Sequence, residues 1–152
     1  PTQSPTITPT TTTTSTLTTA PSDIPCNKAL WKADITIPDD TQMTPGQEFT
    51  KVWEVENAGT CDWDVGYRLI FKNGSFGQNL SPYQFTTLEV KAGDRVQISI
   101  KMTAPLTPGV QESHWTMRSS TGEVFSFGQE QNATLYTRIE VVSTPTITPT
   151  IR

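Results

Sequence analysis

The sequence predicts an all-β antiparallel sandwich of seven to eight short strands, flanked by disordered Thr/Pro-rich linkers. Three observations carry this. Apolar and polar residues alternate over short runs between Ala33 and Val141, the period of strands with one dry face. Clusters rich in Gly, Pro, Asn and Asp stand between the runs. No stretch repeats with a helical period.

The most informative stretch is Phe49–Trp63. Phe49, Trp53 and Val55 share a face, with Thr50, Glu54 and Glu56 between them and Val52 as the one apolar residue opposite. Asn57-Ala58-Gly59 breaks the pattern as a turn does. Cys61 and Trp63 follow. Before this stretch, Ala33, Ile35 and Ile37 alternate with Asp34 and Thr36, which predicts a first short strand. Pro38-Asp39-Asp40-Thr41 and Thr44-Pro45-Gly46 are turn chemistry.

Tyr67, Leu69 and Phe71 give a third strand, closed by Asn73-Gly74. Residues 74–86 are irregular. Val96, Ile98, Ile100 and Met102 alternate with Gln97, Ser99 and Lys101, the cleanest strand in the chain. Ala104-Pro105 stops it. Ser113, Trp115 and Met117 alternate likewise, and Ser119–Gly122 is a loop of hairpin length before Val124, Phe125 and Phe127. Leu135, Thr137, Ile139 and Val141 close the domain.

Composition divides the chain into three: linker 1–22, a β domain over 23–142, and linker 143–152. Pro5–Thr10 recurs letter for letter as Pro145–Thr150, which predicts one type of spacer used repeatedly. Proline biases such segments toward extended polyproline II, and dense Thr with Pro also suits O-glycosylation. The chain does not start with Met and carries no signal peptide, so it reads as a segment of a longer protein. The net charge is −4, without a basic cluster, which argues against nucleic acid and anionic membrane surfaces. No apolar run reaches the length of a membrane span.

Cys26 and Cys61 are the chain's two cysteines. A Thr/Pro-linked β domain reads as extracytoplasmic, where disulfides persist. A Cys26–Cys61 bridge is therefore expected, two free thiols being the alternative. It would close a loop of about 35 residues, worth roughly 3–4 kcal/mol in the chain-entropy model. The expected location is extracellular or at the cell surface.

The motifs Trp31–Thr41, Pro45-Gly46, Phe49–Trp53, Asn57–Trp63, Ala104-Pro105, Pro108-Gly109 and Ser113-His114-Trp115 come in an order that resembles the four-tryptophan (FW) domain. This is the immunoglobulin-like domain of the autophagy receptor called neighbour of BRCA one, which also occurs in bacterial secreted proteins. The resemblance covers about residues 28–142. It implies an immunoglobulin-like β-sandwich that binds other proteins and has no catalytic residues. Trp53, Trp63 and Trp115 fall on family tryptophan positions. The remaining one belongs near Lys72-Asn73, where this chain has none, and Trp31 stands where the family often has Phe. The Thr/Pro tails and paired cysteines look like the bacterial, exported branch.

Candidate sites follow. Trp53 and Trp115 share faces with apolar residues and are expected in the core; Trp63, at the end of its element, is expected to join them by capping it, partial exposure being the alternative. Tyr83 and Phe85, in the longest irregular segment, are either a partner-contact patch, a sugar-stacking platform or the loop's own small core. Trp31 either caps the core or stays exposed to a partner. His114 is the chain's one histidine and reads as a surface residue. A cleft that gathered it with a hydroxyl or carboxylate would reopen an enzymatic reading. Asp39-Asp40, with Asp34 nearby, reads as turn chemistry before metal ligation. No cofactor is expected. The expected partner is a protein, with a glycan as the alternative and a passive spacer domain as a third reading.

Overall fold

The computed structural model describes residues 23–143. The linkers expected over 1–22 and 143–152 lie outside it, Ser143 apart. Eight strands form: β1 (Ala29–Asp34), β2 (Thr41–Met43), β3 (Glu48–Asn57), β4 (Arg68–Gly74), β5 (Arg95–Thr103), β6 (Gly109–Arg118), β7 (Val124–Phe125) and β8 (Leu135–Val141). A short 3-10 turn, Gln78–Leu80, sits in the irregular segment.

The strands stack as two sheets. The first has the order β1-β3-β5. The second has the order β2-β8-β6-β4, and β7 prolongs the β8 side of β6 through Met117↔Phe125 and Arg118↔Val124. This is the all-β sandwich the alternation predicts. One pairing departs from the antiparallel expectation: β2 runs parallel to β8, Thr41 against Ile139 and Met43 against Val141.

The first strand also lies earlier than its alternation predicts. β1 ends at Asp34, Ile35 is exposed, and Ile37 takes a φ of 53° as the chain turns away. Pairing with β3 decides this. The register runs from Ala29↔Asn57 to Asp34↔Trp53 with a bulge at Lys32, and beyond it the Ile35 and Thr36 amides donate to the Val52 carbonyl while the Thr36 hydroxyl accepts the Val52 N–H.

Between the sheets Trp53, Trp63 and Trp115 are each wholly buried, with Leu69, Ile98, Ile100, Met117, Leu135 and Ile139 around them. Each buried indole contributes roughly 4–6 kcal/mol of transfer free energy, from 150–250 Å² at about 25 cal/mol per Å². Trp63 stacks on Tyr67 at 6.1 Å and meets Phe125 at 6.3 Å. Lys72, in the region of the absent family tryptophan, stands in a bulge of β4 and is exposed. Outside the core, Glu48, Glu54 and Glu56 are the solvated strand positions their parity implies, pairing with Lys101, Arg95 and Lys32.

Cys26 and Cys61 form the disulfide, tying the leader to the turn after β3. Asn57, wholly buried, organises that turn. Its side-chain amide donates to the Cys61 and Val90 carbonyls and its oxygen accepts the Gly59 N–H. A Cβ on Gly59 would stand 2.1 Å from the Cys26 carbonyl oxygen, so only glycine lets the two segments approach this closely.

Candidate functional site: an aromatic groove at the edge of the sandwich

β1 is an edge strand of the first sheet, and β8 lies beside it in the second. Where they meet, Trp31, Asp34, Trp53, Ala133, Thr134 and Tyr136 line a groove of about 280 Å³. Trp31 is 53% exposed and Tyr136 39%, so the groove presents two large rings to solvent. Exposed rings of this size are the usual anchors of interfaces.

The groove is held from beneath by hydrogen bonds, an ion pair and a cation–π contact. Asp34 Oδ1 accepts from the Trp31 indole N–H at 3.2 Å and pairs with the Lys51 ammonium, also at 3.2 Å. Lys51 donates to the Ile37 carbonyl at 2.7 Å and lies 5.7 Å from the Trp53 ring centroid. The Trp53 indole N–H donates to the Tyr136 carbonyl at 3.0 Å, and the Tyr136 hydroxyl to Asp39 at 2.8 Å. Lys51 is wholly buried. Burial pushes its pKa below the usual lysine value, against the pull of Asp34. The hydrogen bond to Asp39 raises the Tyr136 phenol.

Beside the groove, His114 stacks on Tyr136 with ring centroids 5.8 Å apart. Its Nδ1 lies 2.9 Å from Thr134 Oγ1 and its Nε2 3.1 Å from Glu112 Oε2. Arg138 bridges Asp40 at 2.7 Å and Glu112 at 3.0 Å. The hydrogen bond from His114, then Arg138, holds Glu112 below the usual carboxylate range. A hydroxyl, an imidazole and a carboxylate thus stand in line, the geometry that would reopen an enzymatic reading. Acyl transfer also needs donors aimed at a developing oxyanion. The Arg138 guanidinium in the same depression is instead engaged by two carboxylates.

The three residues marked for partner contact do not form one surface. Tyr83 and Phe85 are half-buried against the core on the far side of the sandwich. Tyr83 exchanges two backbone hydrogen bonds with Leu69, and its hydroxyl donates to the Ser99 carbonyl on β5 at 2.7 Å. Phe85 meets Trp63 edge-on at 6.2 Å. Both rings serve as the loop's own small core, where they join the β4 and β5 edges. Trp31 stands at the opposite edge.

Sequence reasoning missed Lys51, Tyr136 and Arg138. A signal was present for the first: Lys51 has the parity of Phe49 and Trp53 and so had to lie on the dry face. Asp39 and Asp40 are turn residues, as read, and also brace Tyr136 and Arg138. Among the described residues no group of three or more His, Cys, Asp and Glu side chains could hold a metal ion. No described helix is long and apolar enough to cross a membrane.

Two sheets of this topology define an immunoglobulin-like sandwich domain. The family model for the Ig-like domain from next to BRCA1 gene matches residues 36–141, and the chain belongs to that family. Potato protein JOKA2 is 30% identical over 97 residues, covering 60% of this chain and 11% of JOKA2. Zebrafish protein ILRUN is 28% identical over 89 residues, 59% of this chain and 31% of ILRUN. The human Next to BRCA1 gene 1 protein is 30% identical over 93 residues, 60% of this chain and 10% of its own length. The match thus spans a third or less of each of these relatives.

Proposed function

We propose that the domain is a non-catalytic protein-interaction module of a larger exported or cell-surface protein, of the bacterial branch of the four-tryptophan type, and that it docks its partner on the Trp31–Tyr136 groove. The carrying observation is Trp31 itself. An indole left 53% exposed on an edge strand, yet fixed by Asp34, is organised for contact and adds little to the core. Membership in a family shared with the receptor proteins supports a protein partner. The disulfide and the Thr/Pro flanks support an oxidising compartment.

A photo-crosslinking residue placed at position 31 of the full chain tests the reading. Position 88 serves as control, since Leu88 is 75% exposed on another part of the domain. Exposure to cell-envelope extract of the source organism should yield a discrete protein adduct at 31 and none at 88. A glycan adduct at 31 would replace the protein partner with a carbohydrate. No adduct above a linker-only control would reduce the domain to a spacer.

A further inference from the structure

Arg68 and Arg118 are register partners across β4 and β6. Their neighbours Leu69 and Met117 point into the core, so both guanidinium groups leave the sheet on its outer face. Like charges placed directly opposite one another destabilise a sheet. Among the described residues Lys32, Lys51, Lys91, Arg95, Lys101 and Arg138 each meet a carboxylate, whereas these two arginines, like Lys28 and Lys72, meet none. The pair stands in a chain of net charge −4, so a general excess of basic residues does not explain it.

The surroundings are built around the pair. Arg68 Nη1 donates to the Val65 carbonyl at 2.6 Å and to the Tyr67 carbonyl at 2.9 Å, which fixes the guanidinium and leaves its other two nitrogens available. The β6–β7 hairpin, Ser119–Gly122, brings its Ser120 and Thr121 amides to the same place, its hydroxyls being engaged with Asp64 and with one another. Together with Gly66 and the two arginines it lines a polar depression of about 380 Å³. Gly66 makes room for it: a Cβ there would stand 2.6 Å from that of Ser120. Asp64, the acid at this rim, is spent locally. It accepts the Gly66 N–H at 2.6 Å and the Ser120 hydroxyl at 2.7 Å.

We propose that Arg68 and Arg118, with the Ser119–Gly122 hairpin, bind a tetrahedral oxyanion of the phosphate or sulfate class. Two planar forks on adjacent strands match such an ion bidentately. Bound, the anion relieves the repulsion between them. Asp64 subtracts one charge from the site.

The test follows the arginine Nε–H signals and the Ser120 and Thr121 amides of the 15N-labelled full chain. Sodium phosphate, sodium sulfate and O-phosphoserine are titrated at constant ionic strength, with chloride as reference. Saturable shifts at these positions are expected, with affinity lowered at least tenfold in R68Q and in R118Q. Stronger binding of O-phosphoserine than of phosphate would place the anion on a partner protein; the reverse order would make it a free ion. Thermal unfolding confirms that each variant is folded, and R118Q should be no less stable than the parent. Shifts no different from those with chloride, or undiminished binding in folded R118Q, would overturn the site.

Discussion

Asp34 accepts two hydrogen-bond donors at one carboxylate oxygen: the Lys51 ammonium and the Trp31 indole N–H, each at 3.2 Å. One of these donors is sealed in the core and the other belongs to the most exposed tryptophan in the chain. The pair therefore couples the interior of the sandwich to the rim of its groove. Removing one partner of a buried ion pair leaves the other charge unsatisfied. D34A is expected to destabilise the domain by about 3 kcal/mol in urea unfolding. It should also free the Trp31 ring, seen as increased quenching by acrylamide, because the other three indoles are buried.

Lys51 gives a pH dependence of defined sign. Its folded pKa lies below the usual 10.5 because burial disfavours the ammonium. Between that lowered value and 10.5 the unfolded chain holds the proton more firmly, so stability from this residue rises with pH across the window. Tyr67 acts in the opposite direction: burial raises its phenol above 10.0, so its contribution falls as pH passes the ordinary value. Subtraction isolates the lysine. The stability of the parent minus that of K51M should increase from pH 8 toward the window's upper edge. A flat or falling difference would show that Lys51 is not desolvated as described.

The roles of Trp31 and Tyr83 separate by stability. W31A should change the unfolding free energy by no more than about 0.5 kcal/mol, since the ring covers little core. Y83A should cost about 2 kcal/mol, through lost packing and the lost hydroxyl bond to Ser99. Equal costs at the two positions would contradict the division of roles between the edges.

The disulfide spans a sequence separation of 35 residues. Its replacement in a C26A/C61A double variant should cost roughly 3–4 kcal/mol in the chain-entropy model. G59A should destabilise the oxidised protein as well, because the added methyl meets the Cys26 carbonyl and no flexible side chain can move aside. A G59A variant as stable as the parent would show that the turn after β3 is looser than its close approach implies.

Periodicity exposed most of the sandwich because a strand with one dry face writes that face into alternate residues. The runs at 95–103 and 135–141 coincide with β5 and β8 for this reason. It failed at β1, where the apolar residues Ile35 and Ile37 continue an alternation that the backbone abandons. No alternation marks that exit: β3 continues to Glu48 beside β5, while β1 leaves it after Asp34. The same limit hid β2, three residues long, whose parallel place beside β8 joins positions almost a hundred residues apart.

The sequence by itself determined which residues are apolar, where turns interrupt them, and that one thiol precedes the strand of Trp53 and the other follows it. Those are local quantities, fixed by side-chain chemistry and a two-residue period. The groove was decided only by tertiary structure. Trp31, Lys51, His114 and Tyr136 lie on four different strands and carry no shared spacing. Only the stacking of two sheets, with β1 at an edge facing β8, brings them within hydrogen-bonding and stacking distance. The same holds for Arg68 and Arg118: each reads as an ordinary solvated strand residue, and the β4–β6 register alone sets them opposite one another.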